Sequence, residues 1–80
     1  MAHYYFDLRD GDELVADEEG MELSNMEAVQ EEATRALAGL ATDSVRNFNG
    51  ARGHQMAIEV RDQVGPVMEV KFTFEIARKH

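Results

Sequence analysis

Tyr4-Tyr5-Phe6-Asp7-Leu8-Arg9-Asp10-Gly11 is the stretch that decides the fold class. Apolar or aromatic residues at 4, 6 and 8 alternate with Asp7 and Arg9, which predicts a strand with one dry and one wet face. Asp10-Gly11 follows at once and predicts a type I′ hairpin turn, in which both central residues take positive φ. A second short strand is expected over Glu13 to Asp17, antiparallel to the first. Asp17-Glu18-Glu19-Gly20 is a turn, after which Met21 and Leu23 bring the chain back toward the core.

Ser24-Asn25-Met26-Glu27 matches a capping box, with Ser24 as N-cap and Glu27 reaching back to its N–H. The helix behind it carries an apolar stripe of Met26, Val29, Ala33, Ala36, Leu37, Leu40 and Ala41, with Val45 continuing it. Glu27, Glu31 and Glu32 lie near the positive end of the helix dipole and Arg46 beyond the far end. Glu31 and Arg35 are spaced as an i,i+4 ion pair. Gly39 is the weak point, marking either close packing or an incidental cost of up to ~1 kcal/mol relative to alanine.

Asn47-Phe48-Asn49-Gly50-Ala51-Arg52-Gly53 is loop chemistry, with Phe48 expected to close the bottom of the core. Two further strands follow. Met56, Ile58 and Val60 alternate with Ala57, Glu59 and Arg61; Met68, Val70, Phe72, Phe74 and Ile76 alternate with Glu69, Lys71, Thr73, Glu75 and Ala77. Asp62-Gln63-Val64-Gly65-Pro66 turns between them. The pattern predicts one α+β domain over residues 1–80: a two-layer, four-stranded antiparallel sheet in the order β-β-α-β-β, with one long helix on one face. The last strand is long and aromatic, a hazard as an exposed edge, so it is expected to be central or paired across a homodimer. A chain this short buries only about 60–65% of its unfolded surface, which also favours a dimer.

Composition narrows the function classes. The 80 residues include no cysteine, which excludes disulfides, thiolate metal sites and thiol catalysis. No apolar run approaches a membrane span, and the N-terminus lacks the signature of a secretory leader, so a cytoplasmic location is expected. Sixteen acids against eight bases give a net charge of −8. That charge is concentrated at the front. Through Glu32 there are eleven acids and one base, net −10; the remainder has five acids and seven bases, net +2. Such a front repels phosphate backbones and disfavours direct nucleic-acid binding. It can steer a basic partner or mimic nucleic-acid charge; its plainer role is a solvated face that keeps a small domain soluble.

No catalytic, metal or cofactor site emerges. Counted as an EF-hand loop from Asp10, Val15, Ala16 and Met21 stand where a polar ligand, glycine and the final acid are needed. His3, His54 and His80 lack metal-ligand spacing, although His3 and His54 could meet if the first and third of the four expected strands are neighbours. Ser24 is explained as a cap, and no GxSxG or phosphate-cradling glycine run occurs. Alternation places Tyr5 on the wet face beside Asp7 and Arg9, open to a contact. With the acids that lack a turn or cap role, the partner-facing candidates are Tyr5, Asp7, Arg9, Asp12, Asp17, Glu18 and Glu19.

Tyr5-Phe6-Asp7, Arg9-Asp10-Gly11, Asp17-Glu18-Glu19-Gly20-Met21-Glu22-Leu23 and Ile58-Glu59-Val60-Arg61-Asp62 resemble a family of small domains of unknown function common in rhizobia and other alphaproteobacteria. Its members open on a YFFDIRDG-like hairpin. The resemblance covers nearly the whole chain, departs at Gln63-Val64-Gly65-Pro66, and implies a fold unit but no activity. More distantly, the hairpin, Glu27-Ala28 and Ala33, Ala36 and Leu37 are similar to the partial RNase-H-like domain of HicB-type antitoxins. That similarity implies oligomerisation and toxin binding by an acidic face; an appended DNA-binding segment is lacking. The expectation is therefore a non-enzymatic interaction module, dimeric, with an acidic face for a basic protein. The alternative is an antitoxin or nucleic-acid mimic that masks a cationic nuclease or regulator.

Overall fold

Alternation carries directly into packing. Tyr4 is buried, and Phe6 and Leu8 pack against the same core, while His3, Tyr5, Asp7 and Arg9 occupy the other face of their strand. The computed structural model describes residues 1–46, 53–75 and 79. Its elements are β1 (Ala2–Asp10), β2 (Glu13–Val15), β3 (Met21–Leu23), α1 (Met26–Arg46), β4 (Gly53–Arg61) and β5 (Pro66–Glu75). All pairings are antiparallel, and the sheet runs β2-β1-β4-β5, with β3 also on β1. This is the expected two-layer α+β arrangement with five strands in place of four. The added strand is Met21–Leu23, too short for alternation to reveal.

β1 carries two partners end to end on one edge. Leu8–Asp10 pair with β2 and Ala2–Tyr4 with β3. On the other edge β4 pairs from Tyr5↔Arg61 to Asp10↔Met56. This antiparallel register places His3 and His54 at opposite ends of the two strands, so they do not meet. Among the described residues β5 pairs with β4 alone and ends the sheet. It is an edge strand within the protomer, not a central one, because β1 occupies the other side of β4.

The core joins the helix to β1, β4 and β5. Val29 and Ala33 are completely buried, Leu37 nearly so, against Met56, Ile58 and Val60; Leu40 and Ala41 extend the contact. Met26 and Ala36, expected in the stripe, are exposed. Phe48, Ile76 and Ala77 lie outside the described residues, as does the expected loop except at Gly53, which is not loop but the first residue of β4.

Three local expectations are corrected. The helix cap is Asn25: its side-chain oxygen accepts the Ala28 N–H at 2.8 Å and its carbonyl accepts the Val29 N–H at 3.2 Å. The first turn is one residue later than the Ser24 box because the helix begins at Met26; the same helix runs through Arg46, which is its last residue rather than one beyond it. The β1–β2 turn is Gly11-Asp12, flanked by the pair Asp10↔Glu13; Gly11 has φ +60° and, among the described residues, no non-glycine residue has positive φ. That is the signature of a type II′ turn, with glycine first, rather than type I′. Arg35 pairs with Glu32 at 3.0 Å instead of Glu31.

Nothing lies within 4 Å of a Cβ built on Gly39, so it is not a close-packing residue. Two substitutions follow, read by urea denaturation. Asn25→Ala should cost about 1 kcal/mol through loss of the cap, whereas Ser24→Ala stays within about 0.5 kcal/mol. Gly39→Ala should raise stability by about 0.5–1 kcal/mol, since the helical backbone accepts alanine and there is space for its methyl group.

Candidate functional site

The split edge of β1 leaves residues 5–7 between two partner strands, and there Asp17 takes the place of a strand. Its Oδ2 accepts the Phe6 N–H at 3.1 Å, while Oδ1 accepts the N–H groups of Glu19 and Gly20, each at 3.1 Å. The Asp17 N–H in turn donates to Asp7 Oδ1 at 2.9 Å. Burial pushes the Asp17 carboxyl up, but the bonds from Phe6, Gly20 and Glu19 and the positive charge of Arg61 outweigh it and hold the group below its ordinary value.

Arg61 closes this arrangement from the opposite side of β1. Its Nε donates to Asp7 Oδ2 at 2.9 Å and its Nη2 to the Asp17 carbonyl at 3.1 Å. Between them lies Tyr5, with the guanidinium 4.3 Å from the ring centroid. One side chain from β4 therefore crosses β1 and ties down the loop beyond it. Asp7 is buried, with 7% of its surface exposed, and each of its carboxylate oxygens has a partner in these bonds.

His3 extends the cluster. Its ring meets Tyr5 edge-on, centroids 5.0 Å apart, and its Nε2 lies 2.8 Å from the Glu19 carbonyl. A carbonyl only accepts, so Nε2 carries the hydrogen. Gly20 makes the close approach possible: its φ is +68°, and a Cβ there would stand 2.6 Å from the Tyr4 carbonyl oxygen and 2.6 Å from His3 Nε2. The glycine of the Asp-Glu-Glu-Gly turn is thus required on two counts.

The same sheet face holds a second group of charges. Arg9 Nε bonds Glu59 Oε2 at 2.8 Å, which raises the Arg9 pKa, and Lys71 lies 3.5 Å from Glu69. They border an open groove of about 220 Å³ that also includes Gln55 and Thr73. Each cation in it already faces a carboxylate, so the groove offers a balanced polar surface rather than a charge of either sign. Among the described residues no three His, Asp or Glu side chains form a metal-binding group, and no helix is long and apolar enough to cross a membrane.

These observations distribute the seven candidates of the sequence. Asp7 and Asp17 hold bonds inside the domain, Tyr5 lies half-buried under Arg61, and Arg9 is paired with Glu59. Asp12, Glu18 and Glu19 are exposed. Two features were missed. Arg61 was placed on the right face, but only the β1–β4 register shows that it reaches Asp7. The other is a set of exposed apolar residues, Leu14, Val15, Met21 and Met26. Leu14-Val15 carried a signal: consecutive strand residues point to opposite faces, so both could not enter one core.

The sequence model of a family described as Domain of unknown function (DUF6894) matches residues 3–73. The chain belongs to the DUF6894 family. The match spans β1 through most of β5, so it contains the whole Asp7–Asp17–Arg61 cluster and the Gly20 turn of this DUF6894 domain. Comparisons with curated proteins and with solved structures find no match in either.

The lowered Asp17 pKa has a defined consequence. A carboxyl whose folded value lies below its unfolded value of about 3.9 contributes stability above that pH and loses it as pH falls through the folded value. Asp17→Asn should cost about 1–3 kcal/mol at pH 7. It should also flatten the fall in stability below about pH 4. Urea midpoints at pH 7 and pH 3 measure both effects.

Proposed function

We propose that this domain is a non-catalytic interaction module whose β2–β3 edge receives a basic protein partner. The observation that carries this reading is the set of exposed apolar residues along that edge, Leu14 on the open face of the sheet and Val15 and Met21 on the helix face, with Met26 at the start of α1: Leu14 is 49% exposed, Val15 56%, Met21 38% and Met26 44%. Several exposed large apolar residues gathered at one edge and bordered by polar groups mark an interaction site. Here the rim is acidic, formed by exposed Asp12, Glu13, Glu18, Glu19, Glu22 and Glu27. Acids of this density speed encounter with a cationic surface, and the apolar residues supply residence once they are covered. The non-catalytic part of the reading is supported by the state of the clustered side chains. Asp7, Asp17 and Arg61 are engaged structurally: both oxygens of each carboxylate accept hydrogen bonds, and Arg61 donates to the Asp7 carboxylate and the Asp17 carbonyl.

The partner-facing set is accordingly Asp12, Glu18 and Glu19 from the original candidates, joined by Leu14, Val15 and Met21. The test is capture from native cells on the immobilised chain at low and high salt, with wild type beside Glu18→Gln/Glu19→Gln and Val15→Ser. Basic proteins retained by wild type, released by salt and diminished at least severalfold by both variants are expected. Equal capture by all three chains, or none by wild type, overturns the reading. A cationic nuclease as the specific partner would select the antitoxin or nucleic-acid-mimic form of it.

A further inference from the structure

The far side of the sheet presents a different edge. Among the described residues β5 pairs with β4 alone, so the ten residues Pro66–Glu75 present one backbone edge outward. Met68, Val70, Phe72 and Phe74, on the helix side of this strand, are only half-buried. A long, flat edge with apolar side chains is a template for another strand. The sequence along it is self-complementary.

We propose that a second copy of this chain pairs with this edge, β5 against β5 antiparallel, with Val70 opposite the partner's Val70. Side chains alternate with period two, so only registers that oppose even-numbered with even-numbered residues keep the apolar face continuous. Among these, centring on Lys71 opposes two lysines, and centring on Phe72 places Glu69 against the partner's Glu75. Centring on Val70 places Glu69 opposite the partner's Lys71 and Lys71 opposite the partner's Glu69. It also sets Met68 against the partner's Phe72 and Val67 against the partner's Thr73. Centring on Thr73 also forms two ion pairs, from Lys71 and Glu75, but engages only the last half of the strand, Lys71 to Glu75. The Val70 register uses nearly the whole of β5.

The charges are available for this exchange. Lys71 is 73% exposed and its contact with Glu69 within the strand is a loose 3.5 Å. The two-fold axis of the pairing stands perpendicular to the sheet, which keeps both helices on one side and joins two five-stranded sheets into one. Half-buried Met68, Val70 and Phe72 then gain a neighbour on their open flank, which offsets the thin core of an 80-residue chain. This interface lies on the opposite edge from the basic-partner surface, so either can fail without the other.

Sedimentation equilibrium on the full chain, over micromolar to millimolar concentrations, tests the proposal. Wild type should show reversible association to twice the 9.0 kDa chain mass. Glu69→Lys opposes two lysines at each contact and Lys71→Glu opposes two glutamates, so each variant alone should dissociate about tenfold more readily. An equimolar mixture of the two should recover a heterodimer of wild-type affinity, because every opposed pair is again of opposite sign. Both positions are surface residues, and circular dichroism verifies that each variant is folded. A wild-type particle of single-chain mass throughout, a dimer indifferent to either substitution, or a mixture no tighter than the separate variants overturns the proposal.

Discussion

The whole arrangement depends on one constraint: a nine-residue strand, β1, whose outer edge is covered by two three-residue strands with a gap between them. A backbone N–H left unpaired in that gap would carry the penalty of an unsatisfied polar group. Asp17 fills the gap with a carboxylate, and this choice dictates much else. The carboxylate must be held in position, so the loop folds back on it through the Glu19 and Gly20 N–H groups. Its neighbour Asp7 must be compensated, and Arg61 arrives from β4. The tight return of the loop passes so close to β1 that only glycine fits at position 20. A polar cluster thus fixes the register of three segments that short apolar strands could not specify alone.

Most of the layer architecture was legible because it rests on periodicity. Alternation in β1, β4 and β5 and the 3.6-residue stripe of α1 each report burial locally, and two layers follow. What failed rests on geometry that local pattern does not encode. Ser24 and Asn25 are both competent caps, and the residue at which α1 actually begins decides between them. Asp10-Gly11 and Gly11-Asp12 are both plausible turn pairs, separated only by the strand register. The position of β5 depends on which partner β4 takes on its other side, an alignment of segments about fifty residues apart.

The acidic residues show the same limit. By spacing alone Asp17 was one surplus acid among several, whereas Glu27 had a capping role. In the structure the roles are reversed: Asp17 is the most engaged carboxylate of the loop, and Glu27 is an exposed residue of the first helical turn. The two sheet faces and edges consequently differ in character. The open face is electrically self-compensating, with Arg9 against Glu59 and Lys71 against Glu69, so the net negative charge resides at the β2–β3 margin. Charge counted along the chain located that margin approximately, and the bonding partners determine which of its members remain outward.

The β1–β4 pairing has a consequence for the order of events during synthesis. Tyr5 pairs with Arg61 and Asp10 with Met56, so the strand at the heart of the sheet leaves the ribosome well before its principal neighbour exists. At about 5–20 residues per second, that interval lasts on the order of several seconds. Through it, Tyr4, Phe6 and Leu8 lack Met56, Ile58 and Val60, the β4 half of their core, and have only β2, β3 and the apolar stripe of α1 to lie against. The acids around and after it, eleven of them through residue 32, travel with this apolar stretch in the nascent polypeptide. Their mutual repulsion keeps neighbouring nascent chains from pairing edge to edge until β4 arrives to claim its place.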